Sequence, residues 1–193
     1  MLVNKATSSD SIASVVGKTD VATDSVRAGG VFTVQCHDAE GNLKWEAAKH
    51  NLVVNVGLQD MNAKYFTGSG YTAAWYIGLY GAASSNNPNA TDTMASHAGW
   101  TEVTTYSQAT RPVCTFASPT TADPSVATNA AAPATFSING SVTIGGAFLT
   151  TSNTKGGTTG VLFSAADFQA PGDRVVVSGD TLTVTYTFSL DAI

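Results

Sequence analysis

Apolar and polar residues alternate with a period of two over much of this chain, most cleanly near its end. From Thr181 to Leu190, the residues Leu182, Val184, Tyr186, Phe188 and Leu190 share one face, with Thr181, Thr183, Thr185, Thr187 and Ser189 on the other. That is the pattern of a strand with one side in a core and one in water. Val31 to His37 repeats it, with Phe32, Val34 and Cys36 opposite Val31, Thr33, Gln35 and His37. The residues Ala39-Glu40-Gly41-Asn42 then predict a hairpin turn, and Leu43-Lys44-Trp45-Glu46 the returning strand. Further strands are predicted at Leu52–Asn55, Tyr71–Tyr80, Trp100–Tyr106, Arg111–Ala117, Ala134–Ile138, Ser141–Thr151, Val161–Phe163 and Arg174–Val177. Asn139-Gly140 reads as a hairpin turn, and Gly145-Gly146 as a bulge or a close backbone approach. Lys155-Gly156-Gly157 marks the next turn, and Ala165–Phe168 a brief turn of helix. Roughly eight to ten short strands with turns between them indicate a mainly β fold, an antiparallel β-sandwich of jelly-roll-like type.

One segment departs from this period. Leu58, Met61 and Tyr65 recur at three- and four-residue intervals, which places them on one face of a short helix. Asn55 is positioned to cap its start, Lys64 lies near its negative end, and Gly68 and Gly70 stop it. The expected arrangement is this helix laid against the sheet by its apolar face. Gly81–Asp92 and Ser118–Pro133 read as surface loops, the second with an irregular edge strand near Val126. Residues 1–29 hold Ser, Thr, Asp, Lys and Ala with isolated valines, and only Ser11–Val16 has the makings of a helical turn. The division expected is a flexible N-terminal arm, 1–29, and a β-sandwich body, 30–193.

Composition changes the picture in one respect. Of the 193 residues, 43% are hydrophobic but only 12% are charged, about half the usual share for a soluble domain. Thr, Ser, Ala and Gly fill the gap. Such a surface suits a protein packed among neighbours, and equally an ordinary β domain with a Thr-rich face. The net charge of −5 and nine scattered basic residues argue against nucleic acid, since no cluster can neutralise a row of phosphates. No apolar run approaches the roughly 20 residues of a membrane-spanning helix. The start, MLVNKATSSD, has no apolar segment of a secretory signal. A soluble product of the cytoplasm is therefore expected, and neither membrane nor nucleic acid is expected as a partner.

Candidate chemistry is sparse. His37 and His50 flank the first hairpin and can approach each other there, but no carboxylate pattern completes a metal site with them or with His97. Cys36 and Cys114 lie in apolar runs without CxxC partners, so buried thiols are favoured over a disulfide. No GxSxG elbow accompanies the serines, and Gly68-Ser69-Gly70 is too short to cradle phosphate. The sequons at Asn89 and Asn139 are formal matches only. No catalytic residue, cofactor or metal is assigned, and the chain is not expected to be an enzyme. Trp75 is expected in the core, whereas Trp45 and Trp100 suit either a core or an exposed contact.

Several stretches resemble a recurring structural protein of tailed bacteriophages. They are Asp38–Trp45 (DAEGNLKW), Asn51–Leu58 (NLVVNVGL), Trp75–Leu79 (WYIGL), Asp92–Glu102 (DTMASHAGWTE) and Lys155–Gly160 (KGGTTG). Together they run from about residue 30 to the C-terminus, and the arm lies outside them. The resemblance implies a virion protein: capsid cement (decoration) protein first, with head fibre or tail component as the alternative. It implies no enzymatic activity. The partners expected on this basis are the major capsid protein, or else tail or portal-proximal proteins, together with further copies of the chain in a cyclic homo-oligomer such as a trimer. The residues expected to make these contacts are Leu2, Val3, Val15, Val16 and Arg27 on the arm, with Trp45 and Trp100 on the body.

Overall fold

The structure, a computed structural model, describes residues 25–81, 88–168 and 173–193. In chain order the elements are β1 (Val26–His37), β2 (Leu43–His50), β3 (Leu52–Val53), α1 (Asn55–Phe66), β4 (Tyr76–Gly81), β5 (Glu102–Val103), β6 (Ser125–Thr128), β7 (Ala134–Ser137), β8 (Val142–Thr150), β9 (Leu162–Asp167), β10 (Arg174–Val176) and β11 (Thr181–Ala192). They make two antiparallel sheets packed as a sandwich.

The first sheet is built on β11, whose alternation is the clearest in the sequence. It pairs along its whole length with β1, from Val26 opposite Ala192 to His37 opposite Thr181. On its other side it meets β7 and then β6 in succession; β2 closes the far edge by pairing with β1. Phe32, Val34 and Cys36 of β1 and Leu182, Val184 and Tyr186 of β11 are all fully buried, so one face of this sheet is core and the other carries Thr, Ser and Gln. β1 begins at Val26, four residues inside the stretch assigned to the arm. The turn after β1 is held by Asp38, whose Oδ1 accepts the N–H groups of Glu40 and Asn42 at 3.1 and 2.8 Å, while Gly41 supplies a φ of 86°.

The second sheet runs β3-β9-β8-β4-β5, with β10 pairing the start of β8. Its central strands are buried without alternation, because both of its faces are covered. The inner face meets the first sheet. The outer face carries a second apolar cluster of Val54, Tyr80, Met94, Trp100, Phe148, Leu162 and Ala165. Glycine makes room for the large rings there. A Cβ on Gly78 would strike the Phe148 ring opposite it, and one on Gly146 would strike the Tyr80 ring. The expected bulge is present: Tyr80 pairs with Gly146 but Gly81 with Ile144, leaving Gly145 out of the ladder.

Four local expectations are overturned. Asn139-Gly140 does not close a hairpin: β7 belongs to the first sheet and β8 to the second, so the dipeptide carries the chain between layers. Ala165–Asp167 is strand, because β9 extends to pair Gly146 with Asp167. Arg111–Ala117 is not a regular strand; its backbone meets β4 only through Ile77 N–H to Pro112 C=O and Cys114 N–H to Trp75 C=O, at 3.0 and 2.7 Å. The helix turns the other way. Gly57 is its one buried residue, set against the backbone of Phe163, while Leu58 and Tyr65 are exposed and Met61 is half-buried. Val54, not Asn55, occupies the capping position, and no side chain caps it.

Candidate functional site

Two places in the body depart from ordinary sandwich packing. The first is a buried charge cluster joining the 102–111 segment to the loop between β8 and β9. Arg111 has no exposed surface, and its guanidinium donates to both carboxylate oxygens of Glu102 at 2.8 and 2.7 Å, and to the carbonyls of Ser152 and Gly157. The same carboxylate accepts Gly156 N–H at 2.9 Å. Nearby, Lys155 donates to the carbonyls of Tyr106 and Gln108 and sits 4.3 Å from the centre of the Tyr106 ring. Both oxygens of the Glu102 carboxylate and all three guanidinium nitrogens of Arg111 have partners, as a buried ion pair requires, whereas the buried Tyr106 hydroxyl beside them has none. The arrangement fastens a glycine-rich loop; within the ion pair, no proton or lone pair is left free to react.

The second is an open apolar groove of about 750 Å³ between the two sheets. Trp75, Cys114, Phe116, Phe163, Tyr186 and Phe188 form its walls, with Met61 of α1 and Tyr71 at its rim. Among the described residues, no charged side chain lines it. Trp75 stands edge-on to Phe163 at 5.2 Å, and its indole N–H donates to the Tyr71 hydroxyl at 3.0 Å. The Tyr186 hydroxyl accepts from Asn51 Nδ2 at 2.8 Å and from Ser164 Oγ at 3.2 Å, so the polar end of that ring is tied down within the wall. Burial raises its pKa, and it pushes the Cys114 thiol up to about 12. Neither group is disposed to ionise near neutrality. Beside the groove, the end of α1 leaves Tyr65 and Phe66 83% and 76% exposed, stacked edge-to-face at 4.8 Å, with Tyr71 52% exposed. Lys64 links the two features by donating to the carbonyl of Gly70.

The residues expected to make contacts are not gathered in one place. Leu2, Val3, Val15 and Val16 lie outside the described residues. Arg27 is exposed, but on β1 opposite Asp191 and not on an arm. Trp45 is half-buried on β2 opposite Cys36, near the other end of the same sheet. Of the two readings for Trp100 the structure shows the buried one: it is 3% exposed, packed against Tyr80 and Phe148, and its indole donates to Asp92 at 3.0 Å. His97 stacks on it and donates from Nδ1 to its carbonyl, which fixes that tautomer. His37 and His50 sit at opposite ends of the first hairpin. Cys36 and Cys114 are both free and buried, and Trp75 packs half-buried against the core.

Sequence reading missed the exposed α1 aromatics and the groove. The signal for the first was present in the Tyr65-Phe66 pair, adjacent residues that one helical stripe cannot both bury. Among the described residues, no group of three or more His, Cys, Asp or Glu side chains is placed to hold a metal, and no helix is long and apolar enough to cross a membrane. A scan against protein families, a search of curated proteins and a search of solved structures each returned no match.

Proposed function

We propose that this chain is a structural virion protein, a capsid cement protein that binds assembled coat subunits and makes or breaks no covalent bond. The observation that carries the reading is the aromatic edge of α1. Tyr65, Phe66 and Tyr71 stand in solvent beside a groove with no charged side chain among its described lining, and large aromatics in that position serve as anchors in protein interfaces. The resemblance of five stretches to tailed-bacteriophage structural proteins supports the same reading, as does the low charge of the chain. Its mechanism is mass action: a protein that binds the assembled shell and not the free coat subunit shifts the equilibrium toward the shell. A homotrimer would present three such edges at once, and linked contacts of this kind strengthen one another.

The test is quantitative. Purified particles should contain the chain in hundreds of copies, and Phe66→Ala together with Tyr65→Ala should lower its affinity for shells lacking it at least tenfold. Absence of the chain from purified particles would falsify the proposal. A copy number of three, six or twelve would move the assignment to a tail or head-fibre component, to which the same aromatic edge is suited.

A further inference from the structure

An antiparallel ladder comes open over the groove. Val113 bridges Tyr76, and hydrogen bonds run from Ile77 N–H to the Pro112 carbonyl and from Cys114 N–H to the Trp75 carbonyl, at 3.0 and 2.7 Å. The next bonded pair in that register is Ala73 with Phe116. There the ladder stops: neither residue makes a hydrogen bond among the described residues. The two segments part, and Ala73, Ala74, Thr115 and Phe116 all line the groove between them. The chain beyond Phe116 turns instead to the first sheet, where Ala117 N–H donates to the Thr128 carbonyl at 2.9 Å. Amides of an extended chain point alternately to its two sides. With Cys114 directed at Trp75 and Ala117 at Thr128, the N–H groups of Phe116 and Ser118 face the fork, and no described residue accepts them. We propose that the fork receives an extended, uncharged segment of a coat subunit, which adds as a strand beside Phe116 and seats alternate apolar side chains in the groove.

Three features select that occupant. No charged side chain stands among the groove's described lining, and a charge entering it would give up hydration with nothing opposite to replace it. The vacant positions are main-chain groups at every second residue of an extended chain, and a further strand is the ligand that meets such a row. A compact apolar molecule would fill the groove but leave Phe116 and Ser118 unbonded. In an added strand alternate side chains point to one side, so every second residue of the segment is apolar and packs on Trp75, Phe163 and Phe188. Finally, Tyr71 belongs both to the groove rim and to the exposed aromatic edge with Tyr65 and Phe66, so one partner covers the two without a break. The inference rests on the cement reading, which names the coat subunit as the source of the segment.

The experiment is hydrogen–deuterium exchange on the full chain, free and bound to coat shells that lack it. In the free protein the amides of Phe116 and Ser118 should exchange at close to the rate of an unstructured peptide. On shells they should slow about tenfold or more, as new backbone hydrogen bonds require, while the Ser178 amide, in the exposed turn before β11, stays unchanged. In parallel, Ala73→Asp places a carboxylate at the groove on an exposed residue. It should lower shell affinity about tenfold or more and leave the urea midpoint of the free protein unmoved. Unchanged exchange at Phe116 and Ser118 on shells that the protein does bind, equal slowing at Ser178, or undiminished affinity of Ala73→Asp would overturn the inference and leave the cement reading standing. Slow exchange at Phe116 in the free protein would overturn it too, because the fork would then be closed. Failure of the unaltered chain to bind shells would overturn both readings. Protection that rises with protein concentration in the absence of shells would overturn the coat segment as occupant, by naming a second copy in its place.

Discussion

The Arg111 cluster and the groove are close in the fold and opposite in character. In one, a guanidinium and a carboxylate are taken almost entirely out of water and bonded to each other and to the backbone of the loop they hold. In the other, aromatic and aliphatic groups surround open space, and the rings of Tyr65, Phe66 and Tyr71 stand in solvent with little packed against them. The difference separates two uses of side chains in one body. Buried charge sets the shape of a loop at considerable cost if either partner is lost. Uncovered apolar surface contributes almost nothing to the isolated fold and is free to contribute to contact with something else.

The comparison is sharpest where it is broken. Arg111→Ala leaves the Glu102 carboxylate buried without its partner and the carbonyls of Ser152 and Gly157 without a donor. A loss of about 3–5 kcal/mol is expected in urea unfolding, and Glu102→Leu combined with Arg111→Met should recover part of it. Next in size is Gly57→Val. A Cβ there meets the Phe163 backbone, so α1 must lift from the sheet at about 1–3 kcal/mol, and the Met61 side of the groove should loosen with it.

A smaller effect follows from pH. Burial raises the pKa of Cys36 to about 11 and of Cys114 to about 12, and raises Tyr80, Tyr106 and Tyr186 above their ordinary value. Folded values above unfolded ones mean that the unfolded chain releases protons first. The stability from these groups is complete below the unfolded thiol pKa of about 8.5 and is lost as pH rises toward the folded values. The free energy of urea unfolding should therefore fall from about pH 8.5 upward, by on the order of 1 kcal/mol at pH 9. Least of all, Tyr65→Ala or Phe66→Ala should change stability by no more than about 0.5 kcal/mol. A loss above 2 kcal/mol in either would place these rings in the fold and remove the ground for calling them adhesive.

Much of the fold was legible in the sequence because period two survives wherever one face of a sheet is solvated. For that reason most of β11 and the Val31–His37 part of β1 were legible, whereas Val26–Gly30, where the alternation is broken by Arg27 and two glycines, were not. The second sheet was harder, since its two covered faces erase the alternation, and Ala165-Ala166-Asp167 passed for a helical turn. Asn139-Gly140 misled because a tight-turn dipeptide fixes a local bend and says nothing about which sheet receives the next strand. The helix misled in another way: stripe reasoning assigns the buried face to the largest apolar groups, whereas here contact with the sheet is so close that only Gly57 fits. Trp100 looked equally suited to surface and interior, and the deciding partner, Asp92, is a loop residue with no periodic signal. The groove was invisible for a simpler reason. Its described lining comes from seven separate stretches of chain, and none of them is unusual alone.

The pairing of the first described strand with the last has a consequence for how the protein is made. Val26 meets Ala192 and Cys36 meets Leu182, so a ribosome delivers Phe32, Val34 and Cys36 some 150 residues before their cover arrives. So distant a closure slows folding and leaves a half-built apolar sheet open to neighbouring nascent chains. Synthesis would then proceed best when the chain is shielded until Ile193 emerges.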